Sequence, residues 1–510
     1  MNPPVFLGAA GVVVAFVVLG GLFSETSAAL FGALQEGIVR WAGWFYVLVA
    51  SGFLVLALYL GLGPYGRIRL GGDDARPEFG FASWFAMLLA AGMGIGVAFF
   101  GAAEPLAHWS QPPTGAPSSG EPVRDAMRLT FHHWGLHAWG IYAAFAVPLA
   151  YYHFRHDLPL APRSLLWPLL GERIHGGLGH AVDVLCTVGT LFGVATSLGL
   201  GATQINAGLH ALFGLPVGID VQLILIAGIT LAATLSVVSG LHRGMRLLSQ
   251  SNMVLAGLLL LFVLATGPTL YLLELFTTSL GAYLQKLPAT SLWTEPGPSE
   301  GWQARWTLFY WSWWISWSPF VGVFVARISR GRTLSEFIVA TLALPSLATF
   351  FWFSVMGGTG IHLTQAGAAG GLASRAVEQP PLSLFLVLGE LPLAGLTQAA
   401  ATLLVLTFFV TSSDSGSLVD DMVTSGGHPD PPRAQRVFWA LAEGAVAATL
   451  LMAGGLEALR TASLTTGLPI SILLLVSGVG LLRALRVDAS VAGVPSPETL
   501  HEGRARRPEG

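Results

Sequence analysis

Stretches of roughly 20 mainly apolar residues recur along this chain, and that is the length a helix needs to cross a bilayer. Twelve are read, near residues 5–24, 42–63, 82–102, 133–154, 181–211, 221–239, 251–272, 305–326, 335–356, 394–413, 434–454 and 467–485. They leave a composition that is 53% hydrophobic and only 10% charged, where a soluble domain carries roughly 25% charged residues. Inside hydrocarbon every backbone polar group must be satisfied within the segment, which favours helices. The reading is an all-α polytopic membrane protein with 12 transmembrane helices. The fifth stretch exceeds one crossing and must tilt, break or project. The first is taken as a retained span, because Met1–Phe6 carry no basic residue and no clear cleavage site follows.

Arginine placement sets the orientation. With twelve spans both termini share one side, and eighteen of the 25 basic residues fall on it, against seven on the other. Both termini are therefore expected in the cytoplasm. The cluster Arg327, Arg330 and Arg332 is explained by this rule and is given no catalytic role. The net charge of −3 says nothing about nucleic acid, but no basic stripe of the kind phosphate binding needs is present, so nucleic acid is not expected as a partner. The single cysteine, Cys186, excludes an intramolecular disulfide. Segment 273–290 mixes apolar and polar residues at helical spacing, as an amphipathic helix on the outer surface does. No soluble domain is read, and residues 487–510 form a short polar tail.

Four segments carry candidate chemistry. Residues 306–322 read WTLFYWSWWISWSPFVG, with five tryptophans in twelve positions. Trp311, Trp313, Trp314 and Trp317 are spaced by three and four, so several indole faces gather on one side. Indole faces attract cations that lack hydrogen-bond donors; the alternative is core packing. Ala90-Ala91-Gly92-Met93-Gly94-Ile95-Gly96 puts three alternating glycines in the third span. Such a run weakens the helix and can expose carbonyls for a cation and N–H groups for a carboxylate; the alternative is close packing through small residues. The fourth span opens HHWGLHAWGIYA. There His133 and His137 stand four apart as a possible metal pair, but without a third ligand nearby. Trp134, Trp139 and Tyr142 offer further aromatic walls. The tenth span ends FFVTSSDSGS, where Thr411, Ser412, Ser413 and Ser415 offer hydroxyl oxygens of the kind hard cations take; the alternative is serines bonding their own backbone. Asp414, Asp420 and Asp421 are placed at the cytoplasmic boundary. No paired carboxylates, Ser/His/Asp order or nucleotide loop supports an enzyme.

Together, GMGIGVAFFGAAEPLAHW (92–109), HHWGLHAWGIYA (132–143), FGVATSLGLGATQINAG (192–208), FYWSWWISWSPFVGVFVARISRGRT (309–333) and FVTSSDSGS (409–417) resemble the betaine/choline/carnitine transporter family, whose span count is also twelve. The resemblance implies the LeuT-type fold. Residues 1–80 would hold two accessory helices, residues 81–300 a first five-helix repeat (spans 3–7) and residues 301–486 an inverted second one (spans 8–12). It further implies a homotrimer in a bacterial inner membrane, working by alternating access without covalent chemistry. Carried over residue by residue, the aromatic box falls on Trp134, Trp139, Tyr142, Trp313, Trp314 and Trp317. Backbone around Ile95 and Gly96, with Ser197, would hold the substrate carboxylate, and Thr196 stands beside Ser197. A sodium site would use Ala90 and Met93 with Phe408, Thr411 and Ser412; a second sodium is placed near Phe320. Proton-coupled choline transporters of the family tend to carry aspartate where this chain has Gly96. The resemblance thus implies sodium symport of glycine betaine or a related onium solute. The alternatives are a sodium-independent carnitine/betaine exchanger and a proton-coupled choline transporter. No cofactor is expected beyond sodium as coupling ion. The early first span and short tail imply weak osmotic regulation.

Overall fold

The structure is a computed structural model that describes residues 1–92, 94–239, 242–295, 301–367, 371–428 and 431–491. Apart from an isolated bridge between Arg69 and Thr333, the described elements are helical. They are α1 (Pro3–Leu22), α2 (Ser24–Leu62), α3 (Phe81–Gly92), α4 (Ile95–Ser110), α5 (Pro122–Trp134), α6 (Leu136–His156) and the short α7 (Trp167–Leu170), then α8 (Gly177–Phe213), α9 (Ile219–Ser239), α10 (His242–Thr266) and α11 (Thr269–Ser291). The second half holds α12 (Phe309–Ile328), α13 (Leu334–Gln365), α14 (Leu372–Glu378), α15 (Ser383–Gly389), α16 (Ala394–Thr424) and α17 (Arg433–Val491). Seven described helices are long and apolar enough to cross a membrane, and the bent pair α3–α4 makes eight. α12 has the length, at 20 residues, but its tryptophans and serines replace the aliphatic residues that mark a lipid-facing span.

Most helix boundaries follow local chemistry. The third span is two helices whose axes bend by 64° between Phe81–Ala90 and Ile95–Ser110. Gly94 there is extended, at φ −158° and ψ −163°. The fourth span is also interrupted: Gly135 ends α5 and starts α6, so His133 and His137 do not share one helix. A Cβ at Gly135 would lie 2.4 Å from the Phe350 ring. α17 joins two helical stretches at Gly454–Gly455, and Gly455 takes φ +60°, a region that suits glycine. A π-helical turn, Ala304–Leu308, leads into α12. The amphipathic segment at 273–290 lies within α11, which packs on α5 and α13 through a face that includes Leu272, Leu275, Ser279 and Tyr283.

α12 and α8 are the hubs. α12 packs against α6, α8 and α17, and α8 against α16 and α17. α4 crosses α5, α8 and α13. The broken α3–α4 pair, α5, α6 and α12 therefore meet at one place, and the side chains they turn toward it enclose a cavity. Arg332 leans over Trp84 at 4.6 Å and donates to the Phe79 carbonyl at 2.8 Å.

Candidate functional site

The cavity measures about 210 Å³ and is bounded by α3, α4, α5, α6, α8, α10, α12, α13 and α16. Its lining includes Ala90, Ile95, Gly96, Trp134, Trp139, Tyr142, Ser197, Trp313, Trp314, Trp317, Phe408, Thr411 and Ser412. The residues carried over for the aromatic box, the carboxylate and the first sodium site are thus brought to one chamber, except Met93, which lies outside the described residues. Phe320 lines it as well.

The aromatic walls come from three helices. Trp313 and Trp314 stack at 4.8 Å and 15° on α12. Trp134, at the end of α5, meets Trp314 edge-on at 4.9 Å and 70°. Tyr142 of α6 stands edge-on to Trp314 at 6.1 Å and to Trp139 at 5.4 Å. The indole nitrogens are tied down: Trp314 Nε1 donates to the His133 carbonyl at 2.9 Å, and Trp313 Nε1 to the Gly193 carbonyl at 3.4 Å. Trp317 differs, its buried Nε1 having no protein acceptor. Trp311, grouped with the others by spacing, is a correction. It turns away from the chamber and stacks on His137 at 5.1 Å and 20°. Positions 311 and 313 lie about 200° apart around a helix of 3.6 residues per turn, so they cannot share a wall.

Gly96 sets the closeness of these walls. A Cβ there would fall 2.8 Å from Trp313 and 2.9 Å from Trp134. Any side chain at position 96 must push two indoles apart, so these walls are set for glycine. Across the chamber, Thr411 and Ser412 of α16 contribute hydroxyls, with Ser415 and Asn252 beside them. The Thr411 hydroxyl bonds its own helix, with Oγ1 3.0 Å from the Thr407 carbonyl, and accepts from Asn252 Nδ2 at 3.3 Å. Among the described residues, none of the lining side chains is an Asp, Glu, Lys, Arg or His. Thr196 faces elsewhere, bonding Ser463 at 3.2 Å and bordering a second cavity.

Sequence reasoning missed the group behind the wall. Glu104 of α4 is completely buried. Its Oε2 accepts from Trp134 Nε1 at 2.7 Å and from Tyr310 Oη at 2.5 Å. Its Oε1 meets His133 Nδ1 at 2.6 Å and His108 Nε2 at 3.1 Å. Tyr310 in turn stacks on Trp314 at 5.7 Å. The His133–His137 pair is corrected accordingly. His133 finds Glu104 and His108, whose three ligand atoms lie within 4.8 Å of one another, while both ring nitrogens of His137 are unpartnered. One signal was legible: a glutamate inside an apolar run, with a histidine four residues on. Asp420 and Asp421 are fully buried between α16 and α17.

A chamber of stacked indoles with no formal charge, inside a polytopic helical protein, has the character of a carrier for a small cationic-headed solute. The betaine/carnitine/choline family transporter model matches residues 4–490. The chain belongs to that transporter family. Among its relatives in the family, an uncharacterised transporter of Mycobacterium tuberculosis is 47% identical over 518 residues, covering 99% of this chain and 87% of the relative. A glycine betaine transporter of Bacillus subtilis is 45% identical over 477 residues, covering 93% and 92%. A glycine betaine/proline/choline transporter of Vibrio parahaemolyticus is 43% identical, covering 93% and 88%. These family members are transporters, not enzymes, in agreement with the lack of a nucleophile–base arrangement in the sequence.

Proposed function

We propose that this family member imports glycine betaine or a closely related methylated onium solute by sodium symport with alternating access. The observation that carries the reading is the chamber itself: Trp134, Trp313, Trp314 and Tyr142 meet around about 210 Å³ whose described lining holds no ionisable group other than tyrosine. A quaternary ammonium has no N–H to lose, so it enters an indole cage at little cost and gains about 2 kcal/mol or more in a desolvated contact. A primary amine would forfeit its hydrogen bonds to water there. The volume is below the roughly 300–1,000 Å³ of drug-sized sites, which favours a small solute. Gly96, without room for a Cβ, leaves a proton-coupled choline carrier without its carboxylate.

The solute's carboxylate would face the break at Ile95 and Gly96, with Ser197 and the free Trp317 N–H as donors. A zwitterion carries no net charge, so a co-bound cation is needed to couple it to an ion gradient. Sodium suits the oxygens available: main-chain carbonyls of Ala90 and Phe408 and the hydroxyls of Thr411 and Ser412. The proposal includes twelve spans arranged as two inverted five-helix repeats. Its support is that the broken α3–α4 pair and α12, which a π-helical turn precedes, would open the two repeats and both line the chamber. A homotrimer in a bacterial inner membrane, with both termini cytoplasmic, completes the reading.

Uptake of labelled glycine betaine into proteoliposomes tests it. Uptake is expected to rise steeply with an inward sodium gradient and to stop when the gradient is collapsed. Equal uptake in sodium and in potassium removes the coupling, and counterflow without any ion gradient favours an exchanger.

A further inference from the structure

Glu104 is a buried carboxylate that, among the described residues, has no lysine or arginine within ion-pair distance. It is fully enclosed, and among the described residues only His108 and His133 come within ion-pair distance of it. Buried carboxylates of this kind are normally paired or neutralised. Here four donors from three helices point at the two oxygens instead: Trp134 and Tyr310 at Oε2, His133 and His108 at Oε1. The indole N–H of Trp134 can only donate. His133 uses its second nitrogen on Thr307 Oγ1 at 3.0 Å. The second nitrogen of His108, Nδ1, is buried without a partner, which suits a bare lone pair rather than an N–H. With each imidazole neutral and donating once, the cluster carries one net negative charge.

That charge sits directly behind the box. Trp134 lines the chamber and donates its N–H to Glu104. Tyr310 lies between Glu104 and the stacked Trp314, and the His133 carbonyl holds the Trp314 N–H. We infer that Glu104 is a positioning and specificity-determining residue of the transporter: it fixes the box walls and is the counter-charge that makes them select a cationic head. An anion hydrogen-bonded to an indole N–H enriches the ring face in electrons, which strengthens its attraction for a cation. In the low-dielectric interior the charge also acts directly across one ring. The inference rests on the onium reading above and deepens it. The chamber can be free of charged side chains because its counter-charge lies one layer back.

The test compares two ligands of one shape. Glycine betaine and 3,3-dimethylbutyrate differ in having nitrogen or carbon at the centre of the methylated head, so only the first is cationic there. Binding to the purified full chain is read from tryptophan fluorescence. The unaltered protein is expected to prefer glycine betaine. Glu104→Gln is expected to cut that preference by about tenfold, with the affinity for 3,3-dimethylbutyrate changed far less, and Glu104→Asp to restore most of it. Equal weakening of both ligands would mean that Glu104 only shapes the wall, and the inference fails. No preference in the unaltered protein sinks the onium reading itself, a separate result. Loss of binding on adding a chelator would mark Glu104, His108 and His133 as a metal site and also overturn the inference. Should Glu104→Gln not fold, infrared difference spectra of the unaltered protein decide. Glycine betaine is expected to shift an ionised-carboxylate stretch that moves in Glu104→Asp, and 3,3-dimethylbutyrate is not; no such shift overturns the inference.

Discussion

Buried carboxylates behind the chamber wall and on the α16–α17 seam are built differently. Glu104, at the α4–α5–α12 junction, has four hydrogen-bonding neighbours at its two oxygens. On the α16–α17 seam, Asp420 has neither oxygen bonded, and Glu443 has one oxygen unpartnered and the other accepting from Ser413 at 2.9 Å. Asp421 has a guanidinium nearby, Arg436 Nε at 3.6 Å, but no hydrogen bond to its carboxylate. The first site supplies the solvation that water would have given, so a charge can stay. The second does not supply it, so its carboxyls need a proton or a cation to remain buried. Burial alone therefore says little about a carboxylate; its donors decide what it does.

The contrast can be broken most sharply at Glu104. Replacing it with alanine strips the acceptor from four donors at once, and the expected loss is about 3–5 kcal/mol of stability, read as a large drop in the thermal unfolding midpoint. A midpoint within a degree of the parent would show that the cluster is not a structural hub. In front of the hub, Trp314→Ala removes a stacked wall and should weaken glycine betaine by about 2 kcal/mol, roughly 30-fold, in equilibrium binding; unchanged affinity would refute the box. Gly96→Ala should raise the KM for uptake by about tenfold, since overpacking costs ~1–3 kcal/mol and both indoles must move. An unaffected KM would mean that the walls yield freely. The smallest effect is expected on the α16–α17 seam. Glu443→Gln should leave the unfolding midpoint unchanged or raise it by the equivalent of about 1 kcal/mol, because an unpartnered acceptor is replaced by a neutral amide. A loss as large as that of Glu104→Ala would erase the distinction between the two sites.

The chamber was legible from sequence where local periodicity or backbone chemistry decides. Trp313, Trp314 and Trp317 follow from spacing on one helix. The break in the third span follows from Gly92, Gly94 and Gly96, which remove side-chain constraint from three alternate positions. Spacing misled at Trp311, because a separation of three from Trp314 does not determine which neighbour lies on each face. It misled again at His133 and His137, because Gly135 divides what reads as one helix. Asn252 escaped notice altogether; it reaches Thr411 from a position 159 residues earlier in the chain. So did Glu104, whose partners lie 4, 29, 30 and 206 residues away.

By itself the sequence determined that this chain is a helical membrane protein, where its helices weaken, and which aromatic and hydroxyl side chains it has to spend on a site. Those properties depend on composition and on short-range sterics along one backbone. Only the tertiary structure decided that Gly96 must lack a Cβ, that Trp311 faces away, and that a carboxylate stands behind the indoles. Each of these is a contact between helices distant in the chain. Their distances are set by packing, which no local pattern records.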